Sequence, residues 1–252
     1  MKKNYYYLLL AFLILIFFLS SFKIFKWNKD NNLNEKEMQS IYNITVIDKI
    51  ENDTAEEENE SNLLLNVDFD NLKSINNEVK GWIQVSNTNI DYPFVQHTDN
   101  NYYLNHSFYK ESSKAGWVFL DYRNNINDFD DNTIIYGHNR ANKDMFGSLK
   151  DVKSENWLSN KDNHIIKLST EKNSTLWQVF SIYTITTTSD YLVTNFDNKK
   201  EHKDFIKMLV NRSIYNFNIE VTTNDKILTL STCNGNNQKM VLHAKLIKTQ
   251  LK

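Results

Sequence analysis

Cysteine is almost absent from this sequence, since Cys233 is the only one in 252 residues. A single cysteine excludes an internal disulfide, so an exported chain keeps this thiol for an intermolecular bond, for packing in the core or for chemistry. Metal sites need several ligands at suitable spacing, and the six histidines are scattered without it. We therefore expect no structural disulfide, no metal site and no cofactor.

Net charge is also nearly absent. The 29 basic and 31 acidic residues leave a formal charge of −2, and the sequence contains no basic patch. Proteins that bind nucleic acid usually concentrate lysine and arginine on one face or along one element. The sequence therefore does not indicate a nucleic-acid partner.

One long uncharged run is present near the start, YYYLLLAFLILIFFLSSF from Tyr5 to Phe22. Its 18 residues approach the roughly 20 that cross a bilayer, whereas cleaved signal peptides have apolar regions of about 7–15 residues and a small-residue cleavage site. No such site follows, so we predict an uncleaved anchor at residues 1–27 in preference to a cleaved signal or a buried helix. The numbers of lysines on the two sides of the run are nearly equal, so charge does not decide the orientation of the helix in the membrane. The position of the run therefore decides the orientation, with the N-terminus inside the cell and the body of the chain outside.

Residues 28–66 lack glycine and proline and contain the acidic run ENDTAEEENES. Such a segment cannot bury enough apolar surface to offset its ordering entropy. We expect an acidic extracellular stalk; a short helix within it and an acidic docking surface are the alternatives. Residues 67–252 are long enough for one domain with its own core.

The domain at 67–252 is rich in short apolar and β-branched runs, which are typical of strands. They are WIQVSNTNIDYPFVQ, GWVFLDYR, NTIIYGHN, HIIKLST, TLWQVFSIYTITTT, NFNIEVTT, KILTLST and KMVLHAKLI. The stretches FDNLKSINNEVK and HKDFIKMLVNRSIY have the spacing of helices. Many short strands with one or two helices predict a mainly β fold, a closed or nearly closed barrel.

Cys233 follows the strand KILTLST, at the point where a polar loop begins. A thiol becomes a good nucleophile only when a base or positive charge deprotonates it. The best candidate base is His138, which also follows an apolar strand, at a glycine turn. His243 lies inside KMVLHAKLI and is expected to pack on a sheet face, and the other histidines have polar surroundings. The alternative for Cys233 is a small buried side chain.

The ordered pair YGHN and TLSTC resembles the sortases, the cysteine transpeptidases of Gram-positive cell walls. The family motif T-L-x-T-C is matched by Thr229, Leu230, Ser231, Thr232 and Cys233. The segments YPFVQHTDNNYYLNHSF, GWVFLDYRN and MVLHAKLI are similar to class B sortases in particular, and the resemblance extends from about Phe69 to Lys248. It implies an eight-stranded β-barrel.

The resemblance also implies a reaction. The Cys233 thiolate would cleave an N-P-x-T-like sorting signal after threonine and form a thioacyl-enzyme, with His138 as acid and then as base. Surface proteins carrying such a signal would be one partner. The acceptor would be an amine of a peptidoglycan precursor, or a pilin lysine in a sortase that builds pili.

One position departs from the family pattern. Class B sortases have an arginine on the strand after the cysteine, thought to hold the substrate and its developing oxyanion, and this sequence has Lys239 there. Lysine keeps the charge but loses the planar fork. Three interpretations remain open: Lys239 takes the role, Arg140 or Arg123 replaces it, or activity is weak or lost. Thr232 is expected to line the oxyanion site.

Other thiol enzymes fit less well. In papain-like peptidases the cysteine precedes the histidine, whereas here the suitable histidine comes first. L,D-transpeptidases have glycine before the cysteine and arginine soon after, which Thr232 and Asn234 do not match. A degenerate sortase acting as a non-catalytic anchored binding module is favoured by Lys239 and opposed by the intact His138 and Cys233.

Overall fold

The computed structural model describes residues 2–50, 63–186, 188–233 and 237–252. The chain divides into two compact units, one ending at Ser40 and the other comprising Ile41–Lys252. The predicted division at residues 27 and 66 stays a prediction.

Helix α1, Lys2–Ile44, contains the uncharged run. Its apolar side chains from Tyr5 to Phe25 are largely exposed, and by length and composition it can cross a membrane. The helix continues into the predicted stalk, because NLNEKEMQ is rich in good helix formers. Two short strands also lie in that range, β1 (Ile47–Ile50) and β2 (Leu64–Val67), and they pair with each other. The acidic run ENDTAEEENES lies outside the described residues.

The second unit is built on a closed barrel of eight strands, which confirms the predicted mainly β fold. The strands are β3 (Val79–Val85), β4 (Asp91–Val95), β5 (Phe119–Leu120), β6 (Asn132–Tyr136), β7 (Ile165–Thr170), β8 (Asn173–Thr186), β9 (Ile227–Cys233) and β10 (Gln238–Leu251). They are hydrogen-bonded in the order β10-β8-β7-β3-β4-β5-β6-β9. The β4–β5 and β6–β9 pairs are parallel and the others antiparallel.

Helices are peripheral to the barrel, as predicted. They are α2 (Asp70–Ile75), α3 (Glu155–Ser159), α4 (Lys199–Arg212) and the 3₁₀ helices Tyr102–Leu104, Gly147–Lys153 and Lys161–His164. The barrel core includes fully buried aromatic side chains such as Phe94 and Trp177. Helix α4 packs Phe205, Ile206 and Leu209 into a second apolar cluster against β8.

The strand predicted at NFNIEVTT is wrong, because residues 216–223 have no strand structure. Ile219 and Val221 pack against the apolar cluster under α4. The alternation of apolar and polar residues in this segment therefore reflects burial of one of its sides, although the segment pairs with no strand. Asn218 has a left-handed φ of 55°, which interrupts an extended strand.

Candidate active site

The topology brings the ends of two strands together. Strands β6 and β9 are parallel neighbours, and their last registered pair is Tyr136 with Ser231. The Gly137 amide then donates to the Ser231 carbonyl at 3.3 Å. His138 and Cys233 each lie two residues beyond that pair, so their backbones emerge at the same rim of the barrel.

Strand β10 adds Lys239 at the same rim. In the antiparallel β9–β10 hairpin, Lys239 is the register partner of Cys233 and Met240 that of Thr232. The structure places Cys233 as the last residue of β9, and its side chain lies outside the described part of the chain. Thr232 is buried, and Lys239 is partly buried.

A cleft of about 200 Å³ opens at this rim. The residues that line it come from the segment before the Tyr102–Leu104 helix, from that helix and from β5, β6, β9 and β10. They are Asn100, Leu104, Phe119, Tyr136, Gly137, His138, Ser231, Thr232 and Lys239. Three of the residues predicted from sequence, His138, Thr232 and Lys239, thus share one cavity.

The imidazole of His138 is fixed by a backbone contact. Its Nε2 lies 2.8 Å from the Leu104 carbonyl oxygen. A carbonyl only accepts hydrogen bonds, so Nε2 carries the proton and donates. In the neutral ring Nδ1 is then the basic nitrogen. The His138 carbonyl in turn accepts from the Phe146 amide at 3.0 Å, which closes the loop that follows.

Gly116 packs directly against this contact. It has a left-handed φ of 58°, and a Cβ there would lie 2.4 Å from the Tyr103 carbonyl oxygen and 2.8 Å from both the Leu104 carbonyl oxygen and His138 Cδ2. We expect Gly116→Ala to displace the imidazole and to lower the rate of the reaction at this site by about 10²-fold, since displacements near 1 Å have such effects. The measurement is the reaction rate per folded molecule, with the folded fraction determined by thermal unfolding.

Gly81→Ala is the matched control for crowding. A Cβ at Gly81 would lie 2.4 Å from the Phe94 ring and 2.6 Å from the Ser169 carbonyl oxygen, and none of these residues lines the cleft. The control should lower the unfolding temperature and leave the rate per folded molecule intact. Equal losses of rate in both variants would contradict the role given to Gly116.

The other histidines have contacts elsewhere, and none lines the described part of the cleft. His243 is fully buried, with Tyr183 Oη and Thr229 Oγ1 each 2.8 Å from its ring nitrogens. Burial lowers the pKa of His243 to about 3, so the ring stays neutral. The sequence predicted that His243 packs on a sheet face, and this buried environment agrees with that prediction.

Neither alternative arginine lines the described part of the cleft. The backbone of Arg140 packs against Gly147, where an added Cβ would lie 2.3 Å from the Arg140 carbonyl oxygen. Burial raises the pKa of the Tyr92 phenol, and the positive charge of Arg140 opposes that rise. Arg123 forms a fork-to-fork ion pair with Asp121.

Asn100, Leu104 and Tyr136 also line the cleft, although no sequence pattern predicts a role for them. Tyr136 immediately precedes the Gly-His turn, and Leu104 belongs to the segment YPFVQHTDNNYYLNHSF. Their contacts with Asp121 and His138 depend on pairings across the fold, which spacing does not reveal.

Comparison with known proteins gives one consistent result. The Sortase domain family matches residues 83–247. Sortase B of Staphylococcus aureus is 34% identical over 184 residues, covering 71% of this chain and 75% of that protein. The S. aureus sortase B–substrate complex superimposes with a TM-score of 0.67 at 34% identity, over 71% of this chain and 84% of that one. Sortase B from B. anthracis in complex with AAEK1 gives 0.73 at 34% identity, over 87% and 99%.

Proposed function

Because the chain belongs to the sortase family of cysteine transpeptidases, we propose that Cys233 is the nucleophile that transfers a surface protein from its sorting signal to a cell-wall amine. The observation that carries this proposal is the shared rim: Cys233 ends β9, and His138, Thr232 and Lys239 line the cleft beside it. Splitting acyl transfer into two steps is the advantage of a covalent nucleophile.

In the first step the Cys233 thiolate attacks the carbonyl carbon of the threonine in the sorting signal. The carbon–sulfur bond forms and the carbon–nitrogen bond to the next residue breaks. The departing amine needs a proton, and protonated His138 gives it from Nδ1 while Nε2–H stays bound to the Leu104 carbonyl.

In the second step an acceptor amine attacks the thioacyl carbonyl. Neutral His138 takes a proton from that amine at Nδ1, the new amide bond forms and the thiolate leaves. The acceptor is an amine of a peptidoglycan precursor; transfer to a pilin lysine is the alternative. An N-P-x-T-like signal is the substrate we propose, by likeness to class B sortases.

Lys239 takes the place of the family arginine in this proposal. Its register position opposite Cys233 and its place in the cleft support the assignment. A lysine ammonium is a single point charge, so it can stabilise a developing oxyanion without binding it in two places. Thr232, at the end of the same strand as Cys233, lines the oxyanion site.

We expect Lys239→Ala to lower the acylation rate by about 10²–10³-fold, the usual effect of removing one oxyanion donor. Lys239→Arg should retain most of the rate, because it restores the family residue. Arg140→Ala is the control and should react like the unmodified protein. The measurement is the initial rate of adduct formation with fluorogenic sorting-signal peptides.

The opposite ranking, with Arg140→Ala slow and Lys239→Ala fast, would assign the role to Arg140. The binding-module interpretation, which Lys239 favours, requires that peptides bind and that no adduct forms in any variant, Lys239→Arg included.

We further propose that α1 anchors the chain once in the cell membrane, with the catalytic domain on the extracellular side. Its exposed apolar side chains and length support a membrane span. Protease added to intact cells tests the orientation: it should remove an epitope at Lys252 and spare one at the N-terminus, and the reverse result would invert the topology.

A further inference from the structure

A buried carboxylate joins several residues beside the cleft. The Asp121 side chain has no exposed surface. Its Oδ1 accepts from the backbone amide of Arg123 at 3.0 Å and from Arg123 Nε at 2.8 Å. Its Oδ2 accepts from Arg123 Nη2 at 2.7 Å, Tyr136 Oη at 2.9 Å and Asn100 Nδ2 at 3.0 Å. Asp121 therefore holds two residues that line the cleft, Tyr136 and Asn100.

Burial alone would raise the pKa of Asp121, but the hydrogen bonds from Arg123 and Tyr136 outweigh it and hold that pKa below its ordinary value. An ionised carboxylate only accepts hydrogen bonds, so Tyr136 must donate its hydroxyl hydrogen to it. The Tyr136 oxygen then has no hydrogen left to donate and can only accept a further hydrogen bond.

Asn100 is oriented in the same way. Its Oδ1 accepts from the Tyr122 amide at 3.0 Å while Nδ2 donates to Asp121. Both ends of the amide are thus assigned, and the group cannot flip without losing both contacts. Two residues that line this side of the cleft, Tyr136 and Asn100, therefore have fixed orientations.

Arg123 extends the network to a second segment. Its Nη2 also donates to the Leu192 carbonyl at 3.0 Å, in the loop between β8 and α4. The neighbouring Tyr191 is buried, and its hydroxyl lies 2.9 Å from Ser231 Oγ, another residue of the cleft. One guanidinium thus links the loop that reaches Ser231 with the carboxylate that orients Tyr136 and Asn100.

We propose that Asp121 and Arg123 are positioning residues that set the peptide-binding geometry of the cleft by fixing Asn100 and Tyr136 on one side and the Leu192 segment on the other. This inference rests on the proposed function, since it assigns the cleft to the sorting-signal peptide. Neither residue takes part in bond making, so their replacement should affect the KM for peptide more than kcat.

Two conservative variants test the contributions of Asp121 and Arg123 separately. Asp121→Asn keeps the shape but puts an amide donor against donors from Asn100, Tyr136 or Arg123. Arg123→Lys keeps the charge but cannot contact both Asp121 oxygens and Leu192 at once. Asp225→Asn is the matched control, because Asp225 likewise accepts from a backbone amide and a side chain, those of Thr222 at 2.7 and 2.9 Å, and pairs with a cation, Lys245. Asp225 lies before the start of β9, at the other end of the strand from Cys233, and does not line the described part of the cleft.

The experiment measures initial rates against peptide concentration for the full chain in detergent, with thermal unfolding of each variant. We expect Asp121→Asn and Arg123→Lys to raise KM by about tenfold, the usual effect of losing a charge-assisted hydrogen bond, with kcat changed by less than about threefold. Asp225→Asn should retain the KM of the unmodified protein.

A fall in kcat at constant KM would mean that fewer molecules are folded or that an interaction made only in the transition state is lost, and either result would overturn the positioning role. Equal KM values in Asp121→Asn, Arg123→Lys and the unmodified protein would overturn it as well, as would an equal rise in the Asp225→Asn control. If the unmodified protein forms no adduct, the proposed transfer fails separately. Peptide affinity in the Cys233→Ala background then decides the positioning role, and a protein that binds no peptide overturns it.

Discussion

Cys233→Ala is expected to lower acyl transfer by at least about 10⁴-fold, the largest effect of any change in this chain. The sequence has no other cysteine to replace the thiol, so no covalent intermediate can form. The residual reaction would depend only on binding and on charge stabilisation by Lys239. Cleavage of a fluorogenic sorting-signal peptide gives the rate, and the intact mass of the protein shows whether an adduct forms.

Stability should hardly change in this variant, because cysteine and alanine are both small and the position ends a strand at the rim. An unaltered unfolding temperature is therefore the internal control. Substantial turnover by folded Cys233→Ala protein would show that the chemistry does not pass through this thiol.

His138→Ala is expected to have the second-largest effect, a loss of about 10²–10⁴-fold, which is the range for a positioned acid–base group. His138→Gln is a sharper variant, since its amide can still donate to the Leu104 carbonyl but cannot exchange a proton with the substrate. Both should be similarly slow if proton transfer is the function of this side chain.

The chemistry of the leaving group distinguishes acid catalysis by His138 from a purely structural role of His138 in the cleft. A peptide with an ester at the scissile position releases an alcohol, which needs less help from an acid than an amine does. His138→Gln should therefore lose much less rate with the ester than with the amide. Equal losses with both substrates would argue that His138 shapes the cleft and transfers no proton.

Strand positions in this protein follow closely from local sequence. The runs NTIIYGHN, KILTLST and KMVLHAKLI became β6, β9 and β10 because their apolar residues are buried in the barrel wall. The rim that gathers His138, Thr232 and Lys239 then follows from the order of those strands. The strand order could not be predicted, because spacing along the chain does not fix which strands are neighbours, and the family resemblance implied only an eight-stranded barrel.

The network around Asp121 shows what local sequence could not reveal. Asp121 and Tyr136 are 15 residues apart, and Arg123 and Leu192 are 69 apart, so these contacts exist only once the barrel has closed. The strand predicted at NFNIEVTT was wrong for a different reason. Its alternation correctly marked burial of Ile219 and Val221, but alternation cannot tell a paired strand from an extended segment that lies on a core.

The rate predictions for this protein depend on the proposed acylation of Cys233 by a sorting signal. The most direct test is the intact mass of the full chain in detergent after brief incubation with an N-P-x-T-type peptide. We predict a mass increase equal to the peptide up to its threonine, absent in Cys233→Ala and removed by an added amine such as triglycine, which becomes joined to the peptide. An unmodified mass across a panel of sorting-signal peptides, while a class B sortase is acylated under the same conditions, would contradict it.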